Sequence, residues 1–294
     1  MIKSVIKISK RNLVRSFQSK TVTYRYASQN IKNEGEAETH FGFGTVKEAE
    51  KWRKVHKVFE DVASSYDLMN DAMSLGIHRF WKDVFVERLA PIAGGNKLLD
   101  MAGGTGDIAF RFLKYLNNMP KDVEQESNHV TVSDINQNML DVGIQRFSKL
   151  NCDQSNCTIN WVRADAENLP FDDNSYTAYT IAFGIRNVTH IDKVLSEAYR
   201  VLQPGGRFHC LEFSHMTNGY LKWMYDQYSF QVIPPMGQIL AGQWQPYQYL
   251  VESIRRFPDQ QHFARLIEDA GFECVEYENL TGGICAIHSG FKLK

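Results

Sequence analysis

The stretch that most constrains this chain is Leu98-Leu-Asp-Met-Ala-Gly-Gly-Thr-Gly-Asp-Ile-Ala109. An apolar run closing on an acid, then a glycine loop, then an amphipathic run reads as strand, turn and helix N-terminus. That unit opens an α/β sheet and cradles a nucleotide-type ligand at the strand's carboxyl end. Gly104-x-Gly106-x-x-Ala109 satisfies the dinucleotide fingerprint in its Gly/Ala form. A pyrophosphate would sit on the helix N-terminus, where this chain carries Asp107, and beside an aspartate an anion loses and a cation gains. Asp100 adds a second negative charge at the strand end. The loop of Gly103, Gly104, Thr105 and Gly106 therefore suits S-adenosylmethionine, with its sulfonium, its amino group and no phosphate, better than NAD.

Beyond the loop, strands and helices alternate. Strands are expected at 97–101, 130–134, 158–162, 176–183 and 207–213, with helices from Asp107 to about 115, from an Asn136 N-cap to about 150, and over 190–202. That spacing predicts an α/β, doubly wound, mostly parallel sheet of the Rossmann-like kind. Two late runs, 272–278 and 284–290, joined through Thr281-Gly282-Gly283, read as an antiparallel hairpin at the sheet edge and bring the expected sheet to seven strands. Upstream, Trp52, Val55, Val58, Phe59 and Val62 recur at helical spacing, and a second helix runs through Phe80 to Leu89, giving an N-terminal helical cap over 48–95. Residues 117–129 read as a hydrophilic surface insertion. Residues 215–256 break the alternation with an aromatic, proline-interrupted segment suited to a substrate channel or an oligomer contact.

Charge is unevenly placed. Residues 1–33 hold Lys3, Lys7, Lys10, Arg11, Arg15, Lys20, Arg25 and Lys32 and no acid, while the remaining 25 basic residues stand against 34 acidic ones. A basic, serine-containing head with apolar positions such as Val5, Ile6, Leu13 and Phe17 has the composition of a mitochondrial transit peptide, so 1–33 is read as one and 34–47 as a linker. The acidic body argues against nucleic acid as a partner. The five cysteines form no CxxC pair, which suits a reducing compartment, and no metal site is expected. No apolar run reaches the roughly eighteen residues a spanning helix needs, so any membrane contact is expected to be peripheral.

Further acids fall at strand ends. Asp134 closes the second strand, where a carboxylate can accept both ribose hydroxyls of an adenosine. It lies 28 residues beyond Gly106, against about 20 in the usual pattern, an excess that the 117–129 insertion accounts for. Asp165, with the Ala166 amide beside it, is placed to read an adenine edge by donor–acceptor matching. The loop after the fourth strand carries Arg186, which can pair with an anion, and Asn187, which can orient a carbonyl or hydroxyl. The string from Tyr66 to Trp81, rich in Tyr, Asp, Asn and His, reads as a lid over the site.

Two of these segments resemble the ubiquinone/menaquinone biosynthesis C-methyltransferases, a branch of the class I S-adenosylmethionine-dependent methyltransferases. One is the Tyr66–Trp81 string, with Ser74, His78 and Trp81 at the expected offsets. The other is Arg200-Val-Leu-Gln-Pro-Gly-Gly-Arg-Phe-His-Cys-Leu-Glu-Phe-Ser214, where Gln203 replaces the usual Lys. The resemblance runs from about Lys47 to the C-terminus. It implies a methyltransferase domain over 48–294 and an S-adenosylmethionine site using Thr105, Asp134, Asp165 and Ala166. Family members often present a serine where this chain has Ala182. With the transit segment, the ubiquinone branch is favoured. The implied substrate is then a methoxy-polyprenyl-benzoquinol methylated on a ring carbon, with Arg186 stabilising a phenolate and Asn187 and Tyr66 orienting a ring hydroxyl or a water. The resemblance further implies a matrix location, peripheral on the inner membrane, and as partners other subunits of a quinone-biosynthesis complex and a second copy of the chain. The competing readings are a non-catalytic scaffold of such a complex and, on the glycine fingerprint alone, an NAD-dependent oxidoreductase.

Overall fold

The computed structural model describes residues 37–62, 66–91, 95–119, 126–150 and 157–294. The expected transit segment lies outside the described residues, as do residues 120–125 of the 117–129 insertion and residues 151–156 before the third expected strand. The described chain opens with a hairpin, β1 (Glu38–Phe41) and β2 (Gly44–Lys47), where the polar, glycine-spotted sequence suggests a linker. Gly42, at φ 58°, makes its turn, and Phe41 stacks on Tyr249 at 4.1 Å, so the hairpin is docked rather than free.

The helical cap has three helices where two are expected: α1 (Glu48–Val62), α2 (Tyr66–Ser74) and α3 (Ile77–Leu89). Leu75 and Gly76, both left-handed, break α2 from α3. Then come β3 (Lys97–Met101), α4 (Asp107–Asn117), β4 (Asn128–Asp134), α5 (Gln137–Lys149), β5 (Cys157–Arg163) and β6 (Tyr176–Ala182). They are followed by α6 (Ile191–Val201), β7 (Leu202–Phe213), α7 (Gly219–Gln231), α8 (Ile233–Ala241), α9 (Gln245–Arg256), α10 (Gln260–Asp269), β8 (Glu273–Leu280) and β9 (Cys285–Phe291). Asn136 caps α5 through its side chain, which accepts from the amides of Asn138 and Met139.

Seven strands form one sheet in the order β5-β4-β3-β6-β7-β9-β8. The first five in that order run parallel, and β9 is antiparallel to both neighbours, one place in from the edge strand β8. Winding leaves β3 first toward β4 and later returns to β6 on its other side, so the chain reverses between β3 and β6. Ligands of open α/β sheets bind outside the carboxyl ends of the strands at such a switch point.

The strand pattern follows from burial on both faces. Leu99, Met101, Tyr179, Ile181, Phe208 and Cys210 point to one side, against α6 and α10. Leu98, Val130, Val132 and Leu211 point to the other, where Phe85 of α3, Phe112 of α4 and Leu140 of α5 cover them. His209 is buried on that second face, its ring stacked on Phe85 at 4.5 Å and its Nε2 3.1 Å from the Phe85 carbonyl. Burial pushes its pKa down to about 3, so it is a neutral core residue.

Candidate active site

The expected acids meet at the carboxyl edge of β3, β4 and β5, around a cavity of about 470 Å³. Gly106 turns the chain from loop into α4 at φ 82°, and a Cβ there would lie 2.7 Å from the Trp161 ring. The Gly103 amide donates to the Ser133 carbonyl at 3.0 Å, and a Cβ on Gly103 would collide with Val132 and with Asp100 Oδ2. Thr105 lines the cavity, its hydroxyl accepting from Arg146 Nη1 at 2.8 Å.

Asp134 accepts the Gly104 amide on Oδ2 at 2.9 Å and the Asn136 amide on Oδ1 at 2.8 Å. Two backbone donors fix the carboxylate while each oxygen keeps acceptor capacity for a diol. Asp165 is held similarly, Oδ1 accepting the Glu167 amide at 3.0 Å, with Ala166 buried beside it. Burial pushes both carboxyls above their usual range. Asp100 is the extreme case. It is 1% exposed, Oδ1 accepts from the Thr180 hydroxyl at 2.9 Å, and Oδ2 is buried with no partner. Burial raises its pKa to about 7. An orphaned buried carboxylate oxygen beside a glycine cradle asks for a cationic donor, and the amino group of S-adenosylmethionine is one.

Asp107 fills a different role from the one its position suggests. Its Oδ2 accepts from Lys82 Nζ at 2.6 Å, and its Oδ1 forms an ion pair with Arg111, 3.2 Å from Nε. Burial alone would raise its carboxyl, but Lys82 and then Arg111 hold it below the usual range. It is a neutralised structural acid, and the charge preference of the cavity rests on Asp100, Asp134 and Asp165 instead.

A second cavity, about 280 Å³ and mostly apolar, adjoins the first, and Lys82 and Phe183 line both. Its walls come from α2, α3, the end of β7 and the helices α7 to α9, with Trp81, Phe213, Tyr228, Tyr247 and Ile254 among them. Phe183 sits at φ 58°, a conformation a bulky residue holds only when its surroundings enforce it.

Arg186 lines this apolar cavity, but its guanidinium is already committed. Nη1 meets both oxygens of Glu212, at 2.9 and 3.2 Å, and the Phe183 carbonyl at 2.5 Å, while the group stacks 5.4 Å from the Phe213 ring centre. Its Nε is buried without a partner. Asn187 lines the acid-rich cavity, its Oδ1 accepting from the Tyr249 hydroxyl at 3.0 Å. Tyr66 opens α2, but its side chain lies outside the described residues. Ala182 also lines the acid-rich cavity.

Sequence reading missed several groups here. Glu212 carries no local signal, because it meets Arg186 only through the lateral register of β6 and β7. Helix α1 roofs the acid-rich cavity with Trp52 and Val55. It is tied down by Lys51, whose Nζ donates to the Val188 carbonyl at 2.8 Å, and by His190, held between Glu167 at 2.7 Å and Glu48 at 3.1 Å. The Asp71–His78 pair bordering the apolar cavity was likewise unassigned. Among the described residues no cluster of three His, Cys, Asp or Glu side chains is placed to hold a metal.

Residues 45–292 match the model of the ubiE/COQ5 methyltransferase family. The mitochondrial 2-methoxy-6-polyprenyl-1,4-benzoquinol methylase of Drosophila melanogaster is 72% identical over 88% of this chain and 86% of its own length. The human and mouse proteins of that name are each 55% identical, over 87% of this chain and 85% of theirs. Among solved structures, an S-adenosylmethionine-dependent methyltransferase from Thermotoga maritima aligns with TM-score 0.53 at 18% identity, over 81% of this chain and 99% of its own. Phosphoethanolamine N-methyltransferase 2 of Haemonchus contortus, solved with S-adenosylmethionine, aligns with TM-score 0.51 at 16% identity, over 72% of this chain and 52% of its own. At that identity these two speak for the fold.

Proposed function

The chain belongs to the ubiE/COQ5 methyltransferase family, and on that premise we propose that it is the S-adenosylmethionine-dependent enzyme that methylates a ring carbon of a methoxy-polyprenyl-benzoquinol in ubiquinone biosynthesis. The observation that carries the reading is the meeting of two unlike cavities at Lys82 and Phe183, one acid-rich and one apolar. A cationic methyl donor fits the first and an aromatic ring with an isoprenoid tail fits the second.

S-adenosylmethionine supplies an electrophilic methyl group on a positive sulfur. Asp134 would hold its ribose hydroxyls, Asp165 and the Ala166 amide its adenine edge, and Asp100 Oδ2 its ammonium, with Gly103, Gly104, Thr105 and Gly106 forming the cradle. The apolar cavity excludes water and strengthens polar contacts made inside it. Ring carbon is a weak nucleophile, so the ring must gain phenolate character and be held in line. In our reading Arg186 supplies a donor to the phenolate oxygen from Nε, its net charge offset by Glu212. Asn187, with its carbonyl engaged by Tyr249, donates from its amide nitrogen, and Tyr66 completes the orientation of the ring hydroxyl or a water.

The relatives are named mitochondrial, and this protein is read as mitochondrial too. We extend that to a peripheral seat on the matrix side of the inner membrane. No described helix is long and apolar enough to span a bilayer. On α7, however, Tyr220, Trp223 and Met224 are exposed at i, i+3, i+4 spacing, and Ile239 and Leu240 are exposed on α8. Leu75 and Ile77 are also exposed and line the apolar cavity, so its mouth opens among apolar groups. Other subunits of a quinone-biosynthesis complex, or a second copy of the chain, would compete for this surface.

The test is direct. The chain is incubated with methyl-labelled S-adenosylmethionine and a short-tailed demethyl methoxy-benzoquinol kept reduced, and a ring C-methyl product is sought by mass spectrometry. Product that vanishes with Asp134→Ala supports the reading. Cofactor binding without product, even with other mitochondrial proteins added, supports a scaffold instead.

A further inference from the structure

His78, in the first turn of α3, is 8% exposed and lines the apolar cavity. Its Nε2 lies 2.8 Å from Asp71 Oδ1 on α2, while its Nδ1 is buried with no hydrogen-bond partner. Arg79 grips the same carboxylate, Nε to Oδ1 at 2.8 Å and Nη2 to Oδ2 at 2.6 Å. Arg79 and then His78 hold the Asp71 carboxyl well below the usual range, so it is ionised throughout the neutral region. An ionised carboxylate accepts from Nε2–H, fixes that tautomer, and leaves Nδ1 as a bare lone pair.

The buried histidines His209 and His288 set the contrast. Their Nδ1 atoms are also unpartnered, but their Nε2 atoms meet backbone carbonyls of Phe85 and Gln260, and neither lines either cavity. His78 combines a carboxylate partner with a place on a cavity wall, the arrangement in which a carboxylate orients an imidazole for proton transfer.

We propose that His78 is the base that takes the ring proton during C-methylation, with Asp71 as its positioning residue. This rests on the quinol reading above. The ring carbon bonds to the methyl carbon as the methyl–sulfur bond breaks and leaves its pair on sulfur. The ring C–H bond then breaks, its pair restores the aromatic sextet, and the proton goes to Nδ1. Positive charge lost at sulfur is regained as imidazolium facing Asp71, so the site stays balanced.

The base is matched to this proton. A phenol hydroxyl, near 10 in a tyrosine-like reference, would be a steep uphill transfer to an imidazole. A proton on a tetrahedral ring carbon leaves readily, because its departure restores aromaticity. Burial first, and then the Lys82 charge, lower His78 below its ordinary value, while Asp71 and Asp107 oppose them. The remaining charged groups around it are Arg79 on its own helix and the Arg186–Glu212 pair at the cavity wall. The imidazole therefore stays neutral and able to accept through neutral pH.

The test compares the full chain with His78→Asn and Asp71→Asn, using quinol deuterated at the reacting ring carbon. We expect kcat to fall by about 10² to 10⁴ in His78→Asn, the usual span for a lost acid–base group, with quinol KM and cofactor affinity little changed. A primary isotope effect, small in the native protein, should then emerge because proton removal has become slow. Asp71→Asn should fall less. The acid limb of the native kcat–pH profile, below pH 6.5, should disappear in His78→Asn. Independently of turnover, nitrogen NMR of the ligand-free protein near pH 7.5 should find Nε2 protonated and Nδ1 bare in the native chain, and a tautomer mixture in Asp71→Asn. Native kcat in His78→Asn, a loss without any isotope effect, or an Nδ1–H tautomer in the native chain each overturns the proposal. If His78→Asn does not fold, native protein held at a pH where the same NMR finds the His78 ring doubly protonated replaces it: no rise in isotope effect there overturns the proposal. A native chain that forms no ring-methylated product sinks the quinol reading itself, which is a separate failure.

Discussion

At the scale of single residues, backbone amides hold Asp134 and Asp165 in the candidate site, while Asp100 keeps a buried oxygen with no partner. Asp100, raised by burial to about 7, is part-protonated near neutrality, and an ammonium can pair only with the ionised form. The sign follows: binding expels a proton below about pH 7, so affinity for S-adenosylmethionine should weaken as pH falls, approaching tenfold per unit well below it. Titration calorimetry at pH 6 and pH 8, in buffers of differing ionisation enthalpy, would show proton release at the lower pH only. Asp100→Asn, which can keep the Thr180 contact, should flatten the dependence. Ala182 makes a second case. A hydroxyl restored there, on the wall of the acid-rich cavity, adds one neutral hydrogen bond of about 1 kcal/mol, so Ala182→Ser should tighten cofactor binding by about fivefold, with no change in fold stability. Unaltered affinity would mean the position faces no polar part of the cofactor. The strand-end acids Asp100, Asp134 and Asp165 were legible in the sequence because parallel winding brings every strand's carboxyl end to one edge. Asp107 was misleading. Its position announced a charge, but Lys82, 25 residues earlier, cancels it, and no local pattern shows a pairing between helices.

Among the elements, legibility followed periodicity. β3, β4 and β6 were found within two residues, since a strand buried on both faces is a short apolar run between turn signals. β7 began five residues earlier than expected, because Pro204-Gly205-Gly206 reads as a turn. In the fold, Gly205 N donates to the Lys292 carbonyl at 2.6 Å, and Lys292 N to the Gly206 carbonyl at 2.9 Å, so the turn is pinned to the ladder. The β1–β2 hairpin escaped notice because its stability comes from α9, through Phe41 on Tyr249 and Arg256 Nη2 on the Phe43 carbonyl at 3.0 Å. Helices α8 and α9 carry a prediction at this scale. They close on each other at Gly237, where a Cβ would stand 1.9 Å from the Tyr247 ring. Tyr247 also lines the apolar cavity. Gly237→Ala should therefore cost about 1–3 kcal/mol, the range for an overpacked contact, and raise the quinol KM, while cofactor affinity holds because the acid-rich cavity belongs to other elements. A thermal melt with paired cofactor and quinol titrations separates the two. Equal loss at both sites would mean that the helices move as one body with the sheet edge.

For the molecule as a whole, one side of the fold handles a small polar cation and another exposes aromatic and aliphatic side chains. An acidic body, 25 basic against 34 acidic residues beyond the first 33, would be repelled by an anionic bilayer. Any membrane seat must therefore work by insertion of apolar groups rather than by charge. Ile239 is 81% exposed and Trp223 59%, and burying each in an interface is worth about 1.5–3 kcal/mol. Sedimentation with vesicles should accordingly show binding that persists at high salt and is no stronger on anionic than on zwitterionic lipid. Trp223→Glu combined with Ile239→Glu should weaken it at least about tenfold, since losing even one such contact exceeds the roughly 1.4 kcal/mol that a factor of ten requires. Turnover offers a second reading of the same surface. A long-tailed quinol resides in the bilayer and must be drawn from it, whereas a short-tailed one reaches the cavity mouth at Leu75 and Ile77 through water. The double variant should thus lose kcat/KM for the long-tailed substrate alone. If it binds vesicles as before but changes from dimer to monomer in solution, the exposed face of α7 and α8 is an interface between copies of the chain, and the substrate enters by another path.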